Sequence, residues 1–361
     1  MTEPDRPAQL SIVAASRNDD HGGNLFERMQ LFVDGLADQA RRFDLAIELV
    51  LVEWNPPADR PSLADALRWE PAEQFQPRVI TVPPEVHRTF AHADGLPLFQ
   101  MIGKNVGIRR SNAPFVLATN IDILLSDELF AFLKSGLKAN ALYRVDRHDV
   151  LAQLDATPLP SPAECRALPV MREHGLDGLR YPNGRPPVAR TQPPTSVRPP
   201  SGLAVRPALK ELNRMTMAAW DRVVLPKLHT VACGDFTLTS RDVWFAMRGY
   251  PEWPMYSWQL DGVPIYQAFA GGVEMLNLQP PMVAFHLEHG EGSGWTPESS
   301  RLFDRLDAAG VPYLSTLEYR KLARKLVRGN RGFQPINDPD WGLAPIELAE
   351  AQPSRPTGGR S

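Results

Sequence analysis

Hydrophobic positions along the chain follow two periods that take turns. Leu10-Ser-Ile-Val-Ala-Ala-Ser16, Ile47-Glu-Leu-Val-Leu-Val52, Arg78-Val-Ile-Thr-Val82 and Phe115-Val-Leu-Ala118 are short, nearly continuous apolar runs, the pattern of strands buried on both faces. Between them, apolar residues recur at helical spacing. Leu25, Met29, Phe32, Val33, Leu36, Ala37 and Ala40 mark one helix, with Asn24 as its expected N-cap; Met101, Ile102, Val106 and Ile108 mark a second over about 98–110. Strand and helix in alternation predict an α/β fold, a doubly wound and mostly parallel sheet flanked by helices.

Each predicted strand runs into polar or proline residues. The first ends in Ser16-Arg17-Asn18-Asp19 and a Gly loop, the second in Glu53-Trp54-Asn55, and the Phe115 strand in Thr119-Asn120-Ile121-Asp122. Ligands of open α/β sheets bind in the crevice outside the carboxyl ends of the strands, so Asp122 stands where an acid can hold a divalent cation. A capping role for Asp122 at the next helix is the alternative, although Ser126 already serves that helix as a cap.

Beyond Asp122 the pattern predicts a helix over about 127–137, a strand over 141–145 that ends in charged Asp146-Arg147-His148-Asp149, and then a change of composition. Prolines punctuate the stretch 151–215, which reads as an insertion or loop, without ligand a disordered one. Periodicity returns with Gly234-Asp235, a short alternating strand, a helix from Arg241 that stops at Gly249-Tyr250-Pro251, and a helix over 260–269 with Asp261 in its first turn. A strand from Met282 carries His286, followed by His289 and a Gly/Ser-rich turn. Helices are expected over 297–309 and 317–327, the latter amphipathic with a basic face. The resulting layout is a flexible 1–9, a first half at 10–150, the insertion at 151–215, a second half at 216–345 and a loose tail at 346–361.

Composition narrows the function classes. A chain of 361 residues that is 43% hydrophobic has enough apolar material for a large core. Its net charge of -3 argues against a nucleic-acid partner, which would require a basic stripe. Two distant cysteines, Cys165 and Cys233, fit a reducing, cytoplasmic setting. No apolar run is long enough for a membrane span, so any membrane contact is expected to be peripheral.

The order of these motifs resembles the GT-A glycosyltransferases, particularly the family 2-like group, over roughly the first 145 residues and more weakly over 229–290. The resemblance rests on Ser16-Arg17-Asn18-Asp19, Glu53-Trp54-Asn55, Lys104-Asn105-Val106-Gly107-Ile108-Arg109 and Asn120-Ile121-Asp122. It implies a nucleotide-sugar half, an acceptor-side subdomain, and an Asp-x-Asp motif whose metal bridges the donor diphosphate. Here Asn120 replaces the first acid, which leaves Asp122 as the anionic ligand, with Asn120 near the ribose or a metal-bound water. The resemblance further implies that His286 or His289 completes a Mn2+ or Mg2+ site, and that an acid in the second half, Asp235 or Asp261, deprotonates the acceptor.

The chemistry can also be argued from the residues. A departing nucleoside diphosphate develops negative charge, which a cation together with Lys or Arg side chains would stabilise; Arg17, Lys104 and Arg109 are the candidates. Ser16, Arg17, Asn18, Glu53, Lys104, Asn105 and Asn120 are thus expected around a donor, a UDP-sugar favoured, with Glu53 on the ribose or base and Trp54 either stacking or packing. Two rivals remain. A nucleotidyltransferase would require a basic Gly-rich phosphate loop after the first strand, and a non-catalytic sugar-nucleotide or carbohydrate-binding protein would suit the Asn at position 120.

Overall fold

The computed structural model describes residues 6–184, 224–289, 301–329 and 332–353. Its strands are β1 (Leu10–Ser16), β2 (Ile47–Trp54), β3 (Phe75–Val82), β4 (Phe115–Thr119), β5 (Ile123–Leu125), β6 (Ala141–Arg144), β7 (Asp146–Val150), β8 (Val170–Gly175), β9 (Gly178–Arg180), β10 (Phe236–Ser240), β11 (Glu274–Asn277), β12 (Val283–Leu287) and β13 (Ala349–Ala351). They form two sheets. The larger runs β11-β6-β10-β4-β1-β2-β3-β13, mostly parallel, with β10 and β13 antiparallel to their neighbours; the smaller runs β5-β12-β7-β8-β9.

The large sheet is covered on both faces, as its continuous apolar runs predict. Along β1, Leu10, Ile12 and Ala14 point into a core shared with the helices Leu25–Phe43 and Asp127–Lys134. Val13 and Ala15 point into the opposite core, with the helices Gln100–Arg109, Arg241–Met247, Val263–Ala270 and Thr316–Arg328. Alternating side chains therefore feed two separate cores.

Several expectations are corrected. Asn24 does not cap its helix through its side chain: it adopts a left-handed conformation at φ 49°, and the cap position is instead tied by Arg28 N donating to Asn24 O at 3.1 Å. The Ser126 cap does form, its hydroxyl accepting from Leu129 N at 3.2 Å. The charged cluster Asp146–Asp149 is part of strand β7 and not a loop following a strand. Within the supposed Pro-rich loop, Pro162–Arg166 is a helix closed by a capping box between Ser161 and Glu164, and β8 and β9 join the small sheet; residues 185–215 of that stretch lie outside the described residues. The supposed loose tail contributes β13, pinned to β3 by Arg78, which bridges Glu350 and Glu48. Likewise Arg6 and Gln9, in the segment expected to be flexible, bond Asp44 and Ala46 O. The helix expected over 297–309 spans Arg301–Ala308 among the described residues.

The connection that matters for chemistry is the one between sheets. The chain crosses from the large sheet to the small one between β4 and β5 through Asn120-Ile121-Asp122, between β6 and β7 through Val145, and between β11 and β12. Strand β12 then lies between β5 and β7, with His286 opposite Ile123 on one side and Asp149 on the other. Asp122 therefore stands at the seam of the two sheets.

Candidate active site

A cavity of about 620 Å³ opens at this seam, outside the carboxyl ends of β1 and β4. Its lining includes polar Ser16, Arg17, Asp19, His21, Arg28, Asn120, Asp122, Arg147, Asp149, Arg172, Asp235, His286 and His289, together with Leu96, Leu98, Tyr256, Leu306 and Val311.

Three potential ligand atoms converge among those polar residues. Asp122 Oδ2 lies 3.6 Å from His286 Nε2 and 3.4 Å from His289 Nε2, and one donor atom from each of the three residues falls within 4.8 Å of the others. The crossover after β4 delivers the carboxylate, and β12 with the turn beyond it delivers the imidazoles. Burial alone would raise the Asp122 carboxyl, but His286 and His289 outweigh it and hold it well below its ordinary value. Burial and the Arg147 guanidinium push the His286 imidazole down, yet Asp122 and Asp149 dominate and hold it up at about 9. A carboxylate with two imidazoles, mutually close, is a donor set that fits a divalent transition-metal ion, Mn2+ included, better than Mg2+, which prefers oxygen ligands alone. The Gly/Ser-rich turn that follows His289 begins at Gly290 and lies outside the described residues.

Arg28, which the sequence pattern did not single out, occupies the same oxygen. From the helix Leu25–Phe43 its NH1 donates to Asp122 Oδ2 at 3.0 Å, while NH2 donates to His21 O at 2.7 Å and Gly23 O at 3.1 Å. This fully buried guanidinium thus ties the Gly loop after β1 to the acid after β4. Its position next to Met29 gave it the appearance of a helix-surface residue.

The other expected site residues divide into those that face the cavity and those that do not. Ser16, Arg17, Asn120, Asp122, Asp235, His286 and His289 line it. Asn120 faces the cavity with both ends of its amide already engaged by protein groups. Its Oδ1 accepts from Lys104 Nζ at 2.7 Å and Gln100 Nε2 at 2.9 Å, and its Nδ2 donates to Asp235 Oδ1 at 2.6 Å. Lys104 stands behind it, fully buried, with a second bond to Gly234 O at 2.7 Å; burial lowers its pKa to about 8 despite Asp235 and Asp261 nearby.

Asn18, Glu53 and Asn105 do not line the cavity, and each has an internal partner instead. Asn18 Nδ2 donates to Pro61 O at 2.8 Å. Glu53 Oε1 accepts from Leu63 N at 3.0 Å because the chain after β2 folds back and sets a short helix on that carboxylate; burial raises its pKa. Asn105 bonds both backbone groups of Tyr250 and the Glu252 carboxylate, fixing the turn after the helix Arg241–Met247. Trp54 is buried and donates to His87 Nδ1 at 2.9 Å, so of its two expected roles the structure assigns packing.

The two acids considered for proton transfer differ in what holds them. Asp235 Oδ1 is taken by Asn120, and Oδ2 by Arg147 NH1 at 2.7 Å. Asp261 does not line the cavity; it sits beside Gly234, whose N–H donates to its Oδ2 at 2.7 Å, and burial raises its carboxyl.

No protein-family model matches the chain, and no curated protein matches it in sequence. Among solved structures it is similar to the catalytic domain of Drosophila beta1,4galactosyltransferase 7 in complex with xylobiose, at 11% identity and a TM-score of 0.33, over 86% of this chain and 82% of that one. The described helices include none long and apolar enough to cross a membrane.

Proposed function

We propose that the protein is a glycosyltransferase that moves a sugar from a nucleoside-diphosphate sugar to an acceptor hydroxyl, with the donor diphosphate held at the Asp122, His286 and His289 cluster. The observation that carries this reading is the convergence of those three side chains at the carboxyl end of β4, beside a cavity that also presents Arg17 and Arg147. When bound there, a divalent cation neutralises charge on the departing diphosphate. The donor set favours Mn2+ over Mg2+, and a UDP-sugar remains the favoured donor. Arg17 lines the cavity, pairs with Asp19 at 3.4 Å and has an Nε without a hydrogen-bond partner among the described residues, which makes it a candidate to meet a phosphate.

For removal of the acceptor proton we favour Asp261, half-buried beside Gly234 and outside the cavity lining, so that an acceptor hydroxyl has to be brought to it from the cavity. A general base needs an unoccupied oxygen and a pKa drawn towards neutrality. Asp235 has both oxygens engaged; Asp261 has one oxygen oriented by Gly234 and a raised carboxyl pKa. In this assignment Asp235 positions Asn120 and Arg147.

A second reading, sugar-nucleotide binding without turnover, draws support from Arg28 on the Asp122 carboxylate and from the internal bonds of Asn120. Release of nucleoside diphosphate from a panel of sugar nucleotides, with and without Mn2+, separates the two. Transfer predicts metal-stimulated release that Asp122→Asn abolishes, whereas Asp261→Asn retains slow donor hydrolysis and loses transfer by about 10²–10⁴-fold. Tight nucleotide binding with no release under any condition supports the second reading, and release of pyrophosphate from a nucleoside triphosphate supplied with a sugar 1-phosphate would point to nucleotidyl transfer.

A further inference from the structure

Behind the candidate metal cluster lies a second carboxylate that the proposed reaction does not yet use. Asp149, on β7, is wholly buried and lies directly across from His286 on β12 in the strand register. Its Oδ2 accepts from Arg172 Nε at 2.9 Å and lies 3.0 Å from His174 Nε2; Arg147 Nε lies 2.8 Å from Oδ1, without the alignment of a hydrogen bond. That same Oδ1 faces His286 Nδ1 at 3.4 Å, and neither atom has a hydrogen-bond partner.

The grouping of Asp149, His286 and Glu288 has the spacing of a metal site in its own right, but its carboxylates are already spoken for. Asp149 is surrounded by two guanidiniums and an imidazole, and Glu288 is paired with Arg172. A cation added there would meet two guanidiniums, Arg147 and Arg172, against the single Arg28 at Asp122. Only the imidazole of His286 is shared between the two clusters, with Nε2 aimed at Asp122 and Nδ1 at Asp149.

We infer that Asp149 is a positioning residue that accepts the His286 Nδ1–H, fixing the ring so that Nε2 is presented to a divalent cation beside Asp122. The inference rests on the metal reading proposed above. A ligating imidazole is oriented by the partner of its other nitrogen, and a carboxylate there makes it a better donor. The two unsatisfied atoms, face to face and slightly too far apart, close into a hydrogen bond with a small ring movement. Arg147, Arg172 and His174 hold the carboxylate still while that happens. His289, whose Nδ1 is buried without a hydrogen-bond partner, has no such support among the described residues. His286 is therefore the fixed imidazole ligand and His289 the adjustable one.

Direct titration of the full chain with Mn2+, followed by electron paramagnetic resonance, tests this without reference to turnover. Asp149→Asn, shown to be folded by circular dichroism, is expected to bind Mn2+ roughly 10–100-fold more weakly than the unchanged chain. Unchanged affinity in the folded variant overturns the inference. Should that variant not fold, NMR of the unchanged chain with labelled histidine and NMR-active cadmium decides. Coupling of the metal to His286 Nε2, with the proton retained on Nδ1, supports the assignment, and coupling to Nδ1 overturns it. A chain that binds no cation, or binds one equally well as Asp122→Asn, defeats the metal reading itself, a result distinct from a failure of Asp149 alone.

Discussion

Lys104 is fully buried, and among the described residues its hydrogen bonds are to Asn120 Oδ1 and Gly234 O. Its pKa falls from 10.5 to about 8, so between those values the unfolded chain binds a proton that the folded chain does not. Stability contributed by this residue therefore rises with pH across that window, is lowest below about 8, and levels off above about 10.5. The expected result is that the stability of the unchanged chain gains on Lys104→Met by on the order of 3 kcal/mol as pH climbs through the window. Urea unfolding of both proteins at several alkaline pH values measures it; a constant difference would show that Lys104 is not buried as a cation. The sequence set Lys104 apart from the apolar face of its helix, but its periodicity could not reveal that the polar side is also covered, by the turn at Gly234. Arg28 was hidden for the matching reason: a buried arginine with a distant carboxylate partner has the same helical spacing as a solvated one. Asp122 stands out in the sequence because a polar residue at a strand end is an exception to an otherwise apolar pattern, whereas His286 and His289 enter as expected ligands only through the family resemblance.

Among the elements, the helix Gln100–Arg109 is set against the large sheet by two glycines one turn apart. A Cβ at Gly103 would meet Ala15 Cβ at 2.9 Å, and one at Gly107 would collide with Val13 Cγ1 and press on Val52 Cγ2 at 3.2 Å. These neighbours belong to β1 and β2, whose backbones cannot yield cheaply in a close-packed core. Alanine, ordinarily the better helix former, is therefore expected to destabilise at position 107 by about 1–3 kcal/mol. Thermal unfolding of Gly107→Ala checks it; increased stability would mean the helix can lift off the sheet, and Lys104 and Asn105 with it. The sequence disclosed this helix and strands β1, β2 and β4 because double-sided burial demands continuous apolar runs. It concealed β7 and β8 because their cavity-facing positions carry Arg147, Asp149, Arg172 and His174, so that strands serving a polar site read as charged loops. The same conflict between local pattern and role is expected wherever an element is spent on function.

On the scale of the whole molecule, the proposed metal ligands come from different parts of the architecture. Asp122 belongs to the crossover leaving the large sheet, while His286 and His289 come from β12 and the turn after it, in the small sheet. Arg28 adds the helix Leu25–Phe43 and, through His21 O and Gly23 O, the loop at the cavity lip. A cation held by all three ligands would link the two sheets, and a state in which they separate could not retain it. Ligand that binds only the assembled form stabilises it by about 2.7 kcal/mol at a hundredfold excess over Kd. Mn2+ at that excess is therefore expected to raise Tm by a few degrees in the unchanged chain and by nothing in Asp122→Asn. Hydrogen exchange should localise the gain: β5, β7 and β12 should become better protected together with the loop after β1, whereas β3 and β13, at the far edge of the large sheet, should not change. Protection confined to β12 would mean that the histidines bind the ion without Asp122, and the two sheets would then be independent of it.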